Sequence, residues 1–256
     1  MKSAALSAPA PVCDADVYVR DCRLEDTVCV LKLDWPDAFS SARAGQFALL
    51  KSLIPGAPLL PRPLSLIPAP DGLFIAFNIV REGTRLLSEA RPGDKVTLIG
   101  PLGNTFSPPP DPIAIVVDAP HAGTMLALAH ERAVAGHRAD TVVYVTDQGR
   151  PHPSDRVLLN AFAATGAKIV TATGDIAPKL EGFGYVAAGA ADGTMAEAQS
   201  AAERMGMEGE ASLQAAMACG LGVCQVCVHP ARSSSILVCD GPVFPLRLPS
   251  FRAASR

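Results

Sequence analysis

The chain has 256 residues, of which 49% are hydrophobic and 18% are charged, and its formal net charge is −3. Nucleic-acid-binding proteins usually carry a basic excess, so this balance argues against that class, and the apolar content argues against a disordered chain. No apolar run reaches the roughly 18 residues of a transmembrane helix. Residues 1–16 contain one lysine and no continuous apolar segment, so we expect no signal peptide.

Residues 15–100 contain five segments with the alternation or β-branched composition of strands. In chain order they are ADVYVRDCRL, TVCVLKLDW, GQFALLKSLI, GLFIAFNIV and KVTLIG. Proline and glycine separate them, and short strands at this spacing predict a small antiparallel β-barrel. One short helix is predicted over Thr84–Ala90.

The pattern changes after the proline-rich segment Ser107–Pro112, which we interpret as a linker because consecutive prolines cannot join a sheet. Ile113–Val117 is a continuous apolar run, typical of a buried parallel strand. Helical and strand patterns then alternate, which predicts a parallel α/β domain. We therefore expect three units: a barrel over residues 1–108, an α/β domain over 109–208 and a small cysteine-containing domain over 209–256.

Four cysteines in the last unit follow the spacing Cys-x4-Cys-x2-Cys-x11-Cys. They are Cys219, Cys224, Cys227 and Cys239. This spacing matches the plant-type ligand pattern of a [2Fe–2S] cluster. Gly220 and Gly222 permit a backbone that aims N–H groups at the sulfurs. The apolar neighbours are expected to keep water off the cluster; they are Leu221, Val223, Val226 and Val228.

Two other readings of these cysteines stay open. Structural zinc ligands usually come as two short pairs, whereas Cys239 stands alone, and free thiols are the remaining alternative. Cys13, Cys22 and Cys29 show no ligand spacing, and we interpret them as packed thiols. An odd cysteine count of seven, without an export signal, predicts a reducing, cytoplasmic compartment.

Three short motifs precede the linker. They are Arg62-Pro63-Leu64-Ser65, Glu82-Gly83-Thr84 and Gly100-Pro101-Leu102-Gly103-Asn104. Together they resemble the ferredoxin-reductase-like flavoproteins, in which Arg-Pro-x-Ser binds flavin. The resemblance implies an FAD site formed by Arg62, Pro63, Leu64, Ser65, Ala76, Phe77, Asn78, Gly83 and Thr84.

The chemistry of these residues agrees with that implication. The Arg62 guanidinium suits a pyrophosphate, and the N–H groups of Gly83 and Thr84 open the predicted helix, where anions bind. The alternative is that Arg62 forms a surface ion pair and Gly83 is only a turn. Asn78 stands where relatives often have arginine, so its contact keeps a hydrogen bond but loses a charge.

The cysteine segment, with its tail Cys239-Asp240-Gly241-Pro242-Val243-Phe244, is similar to the electron-transfer subunits of class B dihydroorotate dehydrogenases. That resemblance implies a hetero-oligomer with a flavin-containing catalytic subunit, and no catalytic residue for substrate oxidation in this chain. The alternatives are a subunit of a ferredoxin:NADP or sulfide-linked oxidoreductase and a non-redox zinc-binding interaction module. The apolar terminus, with Phe244, Leu246, Leu248 and Phe251, is expected to form an interface.

Two segments depart from this family at the nucleotide site. Relatives carry a glycine-rich loop where this chain has Val117–Thr124, and here Pro120 removes a donor while Asp118 places a carboxylate where a pyrophosphate approaches. A Cys-Gly-Pro-x-Pro-Met box is replaced within residues 187–195. We hypothesise that NAD(P)H binding is weak or absent. The alternative is that alanine preserves the backbone geometry. His121, in the altered loop, is a candidate ligand contact.

Overall fold

The computed structural model describes residues 12–69, 72–146 and 155–251. Within them, none of the helices has the length and apolar character needed to cross a bilayer. The sequence predicts a strand, TVVYVTD, that ends at Asp147 and a helix, SDRVLLNAFAATG, that begins at Ser154. These two residues and the N-terminal residues 1–11 lie outside the described part.

Alternating apolar side chains bring the N-terminal strands into one antiparallel sheet. They are β1 (Cys13–Glu25), β2 (Val28–Leu33), β3 (Phe47–Ser52), β4 (Arg62–Ser65), β5 (Ile67–Ala69), β6 (Gly72–Asn78) and β7 (Lys95–Leu102). The order β4-β3-β7-β1-β2-β6-β5 confirms the predicted barrel, and Leu31, Leu50 and Leu98 lie fully buried inside it. Strands β4 and β5 were not predicted, because proline interrupts their pattern.

Helix α1 (Glu82–Ser88) connects β6 to β7. It begins two residues before the predicted start, because the Thr84 hydroxyl accepts hydrogen bonds from the backbone N–H groups of Arg81 and Val80. This contact gives the first turn its cap.

Parallel strands and helices alternate after the linker, as predicted. The strands are β8 (Ile113–Val117), β9 (Thr141–Thr146), β10 (Lys168–Ala172), β11 (Tyr185–Gly189) and β12 (Glu208–Ser212), and the helices are α2 (Ala122–Val134), α3 (Asp155–Ala164) and α4 (Asp192–Met205). The strand order is β10-β9-β8-β11-β12. Strand β12 was not predicted, because its sequence EGEAS lacks an apolar run.

The cysteine-containing segment adds three short strands: β13 (Val228–Pro230), β14 (Ser235–Leu237) and β15 (Val243–Pro245). Strands β13 and β14 form a hairpin, whereas β15 pairs antiparallel with β12 and extends the α/β sheet. The expected boundary between residues 208 and 209 falls inside β12, which pairs with β11 of the α/β sheet.

The C-terminal apolar segment packs inside the molecule. Leu246 is 2% exposed, and Phe244 and Phe251 pack against the α/β core. Gln199 of α4 donates hydrogen bonds to the carbonyls of Leu246 and Pro249, at 2.6 and 2.9 Å. The expectation that this terminus is an exposed interface is therefore wrong.

A buried arginine fixes the linker to the α/β domain. Segment Ser107–Pro112 has no regular structure, as expected, but Arg132 of α2 reaches it. Arg132 is 4% exposed and donates hydrogen bonds to the carbonyls of Pro109 and Asp111, at 2.8 and 3.0 Å. It also donates to the Thr141 hydroxyl at 2.8 Å.

We expect Arg132→Met to lower the free energy of unfolding by about 2–4 kcal/mol, because it removes three hydrogen bonds, to the buried Thr141 hydroxyl and to two partly buried carbonyls. Chemical denaturation measures the change. Arg204→Met, on the exposed face of α4, is the control and should change stability by less than about 0.5 kcal/mol. Equal effects of the two substitutions would contradict the linker's dependence on Arg132.

Candidate functional site

A cavity of about 650 Å³ lies between the barrel, helices α2 and α3, and the segment 213–217. Its volume is in the range of small-molecule and cofactor sites. Seven of the nine residues assigned to FAD line it: Pro63, Leu64, Ser65, Ala76, Phe77, Asn78 and Thr84. Sequence reasoning missed the walls supplied by Gln214 and Met217, although Met217 stands only two residues before Cys219.

The two remaining residues, Arg62 and Gly83, lie together beside Thr84. Arg62 Nη1 donates to the carbonyl oxygens of Leu60 and Pro61, at 2.8 and 3.3 Å. A Cβ on Gly83 would stand 2.0 Å from Arg62 Nε. The missing side chain at Gly83 therefore lets the guanidinium lie over the first turn of α1, and no carboxylate among the described residues forms a salt bridge with it.

We expect Gly83→Ala to displace the Arg62 guanidinium and to weaken FAD binding by about 10-fold or more, because a charge-assisted contact is lost. The backbone should tolerate alanine, which favours helices. Fluorescence titration of the flavin-free protein with FAD measures the change. Ser88→Ala, at the other end of α1, should leave the affinity unchanged. Unaltered FAD affinity in Gly83→Ala would show that Arg62 does not bind FAD.

Two polar contacts line the cavity where the barrel meets the α/β domain. The hydroxyl groups of Ser65 and Thr124 are 2.7 Å apart. Asn78 Nδ2 donates to the carbonyl of Ala119 at 3.3 Å, whereas Asn78 Oδ1 is buried without a hydrogen-bond partner. The volume of the cavity and the hydroxyl and amide groups at its wall fit FAD.

The four C-terminal cysteines form two pairs. Cys227 and Cys239 are buried, with their sulfurs 3.2 Å apart, and Cys219 Sγ accepts a hydrogen bond from the Cys224 N–H at 3.4 Å. Among the described residues, no three histidine, cysteine or acidic side chains are grouped as one metal ion would need. Each iron of a [2Fe–2S] cluster takes two protein ligands, so two pairs fit that cluster better than one tetrahedral zinc.

Backbone N–H groups point at the sulfurs, as the glycines predict. Gly220 and Gly222 have φ values of +67° and +78°, and Gly222 N–H donates to Cys239 Sγ at 3.2 Å. The N–H groups of Leu221 and Cys224 lower the pKa of Cys219 to about 6. Burial raises the pKa of Cys239 to about 11. The donors favour the thiolate form that binds iron.

The apolar neighbours of this loop face outward. The exposed fractions are 58% for Leu221, 80% for Val223 and 55% for both Val226 and Val228. The expectation that they shield the cluster within this chain is wrong, since they leave Cys224 exposed. They form an apolar rim, and another protein surface would have to cover it to exclude water.

The early cysteines are separate from this loop. Cys29 is fully buried in the barrel core, and its sulfur lies 3.5 Å from that of Cys22. Burial raises the pKa of both thiols. The prediction of a packed thiol at Cys29 is confirmed.

The motif ending in Gly103-Asn104 connects the barrel to the cysteine domain. The Asn104 N–H donates to the carbonyl of Gly241 at 2.6 Å. Asn104 Nδ2 donates to the Val243 carbonyl at 2.6 Å, and Asn104 Oδ1 accepts from the Val243 N–H at 3.0 Å. A Cβ on Gly103 would stand 2.2 Å from the Gly241 oxygen, so only glycine permits this approach.

The altered loop after β8 is held by internal hydrogen bonds. Asp118 Oδ1 lies 2.5 Å from His121 Nδ1 and accepts from the His121 N–H at 3.2 Å. Asp118 Oδ2 accepts from the Ala191 N–H at 2.8 Å. His121, a candidate ligand contact from the sequence, therefore pairs with Asp118.

Known proteins resemble the chain in sequence and in fold. The family described as the iron–sulfur cluster binding domain of dihydroorotate dehydrogenase B matches residues 214–248. In structure, the NADH-dependent reduced ferredoxin–NADP oxidoreductase superimposes with a TM-score of 0.72, at 20% identity, over 92% of this chain and 90% of that one. This likeness establishes the ferredoxin-reductase-like fold.

Several relatives match over most of their length, and they are named dihydroorotate dehydrogenase B (NAD(+)), electron transfer subunit. That of Desulforamulus reducens is 28% identical, over 84% of this chain and 89% of the relative. That of Geobacillus sp. (strain WCH70) is 31% identical, over 78% of this chain and 84% of the relative. The chain therefore belongs to the family of dihydroorotate dehydrogenase B electron transfer subunits.

Proposed function

We propose that this chain transfers electrons between a flavin-containing catalytic subunit, of the dihydroorotate dehydrogenase type, and a second redox partner, through a [2Fe–2S] cluster and FAD. The observation that carries this proposal is the contact between the cavity and the cysteine loop. Met217 and Pro242 line the cavity, and they lie two residues before Cys219 and three after Cys239. Adjacent sites suit direct electron transfer.

When bound, FAD exchanges electrons singly or in pairs and the cluster exchanges them singly. The protein binds both cofactors and holds them in position. Arg62, held over Gly83 and beside Thr84, is placed to bind the FAD pyrophosphate. Ser65 and Asn78 line the cavity, and we expect the Ser65 hydroxyl and the Asn78 amide to orient the flavin ring. The other residues that we assign to FAD contribute apolar or backbone contacts: Pro63, Leu64, Ala76 and Phe77.

We assign the cluster ligands as two pairs, with Cys219 and Cys224 on the exposed side and Cys227 and Cys239 on the buried side. The N–H donors of Leu221 and Gly222 stabilise the thiolates. The buried pair lies on the side of the molecule's core and the exposed pair on the side of solvent. The loop is thus placed between FAD and an external partner.

The apolar rim of Leu221, Val223, Val226 and Val228 supports a hetero-oligomer. Exposed apolar side chains clustered around a redox site are typical of an interaction surface. A catalytic subunit docked here would exclude water and approach Cys224. Substrate oxidation belongs to that subunit.

We also propose the domain limits 1–108 for FAD, 109–208 for the nucleotide-binding-like unit and 209–256 for the cluster. A cytoplasmic, reducing location is supported by the cysteines. All seven lie in the described part of the chain, and all are free thiols.

The test is anaerobic purification of the full chain together with any partner that accompanies it. We expect flavin absorption, about two irons and two acid-labile sulfides per chain, and bleaching of both chromophores by the substrate of the catalytic subunit. A colourless protein with one zinc would contradict the proposal and support a non-redox interaction module. Bleaching only by a different catalytic subunit's substrate would reassign the partner.

A further inference from the structure

The order in which strands are added to the parallel sheet reverses between β8 and β11. From β8 the chain proceeds to β9 and β10 on one side, and it then returns to β11 and β12 on the other. In open α/β sheets, ligands bind in the crevice at the carboxyl ends of the strands, at the point where the strand order reverses. Asp118 directly follows β8, and Ala190 and Ala191 directly follow β11, so these residues form that crevice.

Two helix beginnings face the crevice from opposite sides. A short 3-10 turn, Ala119–His121, leads into α2, and α4 begins at Asp192. Backbone N–H groups at such positions are the usual donors to the phosphates of a nucleotide. Ala191 directly precedes α4, and it has no side chain that could accept a hydrogen bond from the first turn of that helix.

One carboxylate takes the donors on both sides. Asp118 Oδ1 accepts from the His121 N–H and contacts the His121 imidazole, and Asp118 Oδ2 accepts from the Ala191 N–H. Asp118 is 8% exposed, so its charge is weakly screened by solvent. Pro120 offers no N–H group, and its carbonyl accepts a hydrogen bond from Gln214 at 2.7 Å. The loop is therefore held closed by contacts with α4 and with the segment before the cluster.

We propose that Asp118 is an internal anion that occupies the place of a dinucleotide phosphate and prevents nicotinamide dinucleotides from binding at this crevice. The residues present do not fit NAD(P)H, because its phosphates would meet a buried carboxylate and donors that are already engaged. The second redox partner of this chain is then of another class, although its relatives carry NAD(+) in their names. This consequence rests on the proposed electron-transfer function, whereas the exclusion of dinucleotides by Asp118 does not.

The test uses the full chain with its cofactors and compares wild type with Asp118→Asn and Asp118→Gly. Asparagine removes the charge and replaces one acceptor oxygen with an N–H donor, and glycine also opens the crevice. The matched control is Asp175→Asn. Asp175 also follows a strand of this sheet, and it accepts a hydrogen bond from the Ala177 N–H at 2.9 Å, but that strand, β10, is at the edge of the sheet. Thermal unfolding confirms that each variant is folded.

Binding of ADP and of NADH is measured by calorimetry under anaerobic conditions. We expect no saturable binding by wild type or Asp175→Asn up to about 1 mM, and at least about a tenfold gain in affinity in one Asp118 variant. Micromolar binding by wild type, or folded Asp118 variants that bind no better than wild type, would overturn the proposal. Calorimetry with ADP does not depend on redox activity, so a failure of the proposed function is seen separately, in the cofactor content.

Discussion

Cys239→Ala is expected to abolish the iron–sulfur cluster while leaving FAD in place. The substitution removes one sulfur of the buried pair, whose partner Cys227 lies 3.2 Å away. A cluster with an incomplete ligand set is not retained. Iron and acid-labile sulfide should fall from about two per chain to a small fraction of that. The flavin should stay, because Cys239 does not line the cavity.

Cys29→Ala is the matched control, since Cys29 is equally a buried thiol but lies in the barrel core. It should retain iron, sulfide and flavin and lose only about 1 kcal/mol of stability through the removed side-chain volume. Metal analysis, visible absorption and electron paramagnetic resonance after reduction distinguish the two variants. Retention of two irons in Cys239→Ala would exclude Cys239 as a ligand.

Gly103→Ala is expected to destabilise the protein by roughly 3–5 kcal/mol, an effect at the upper end for single substitutions. Gly103 has φ +81°, which costs an alanine about 1 kcal/mol. Its Cβ would also stand 2.2 Å from the Gly241 carbonyl oxygen, and that backbone cannot move without breaking the hydrogen bonds of Asn104. The cluster domain should therefore separate from the barrel.

Gly93→Ala is the control that separates the steric clash of the new Cβ from the cost of a positive φ. Gly93 has φ +94°, but a Cβ there would meet nothing within 4 Å. It should lose only about 1 kcal/mol. Chemical denaturation compares the two variants, and limited proteolysis reports whether the C-terminal domain detaches. A Gly103→Ala variant as stable as Gly93→Ala would show that the domains do not depend on this contact.

Strong local patterns made most of the fold predictable from the sequence. Alternating apolar residues identified β2 and β6, and the continuous run of Ile113–Val117 identified the central parallel strand. Strands β12 and β15 could not be predicted from the sequence. The segment EGEAS becomes a strand by pairing with β11, and VFP becomes one by pairing with β12. Their stability comes from partners distant in sequence.

The cofactor sites were likewise predicted only in part from the sequence. Ligand spacing identified the four cysteines. Three of them lie on one continuous loop, so their separation along the sequence determines whether their sulfurs can bind one cluster. Spacing did not reveal that the surrounding apolar residues face outward. It also did not reveal that Gln214 and Met217 form a wall of the flavin cavity, since that wall exists only when the segment folds back against the barrel.

By itself, the sequence determined the class of cofactors and the order of the three units, because short motifs and periodic patterns encode both locally. It also indicated that the nucleotide loop had changed. Only the tertiary structure decided what that change does. It brought Asp118 and Ala191 together from two strands that are adjacent in the sheet but 73 residues apart in the chain. The carboxylate there takes the N–H groups on both sides of the crevice.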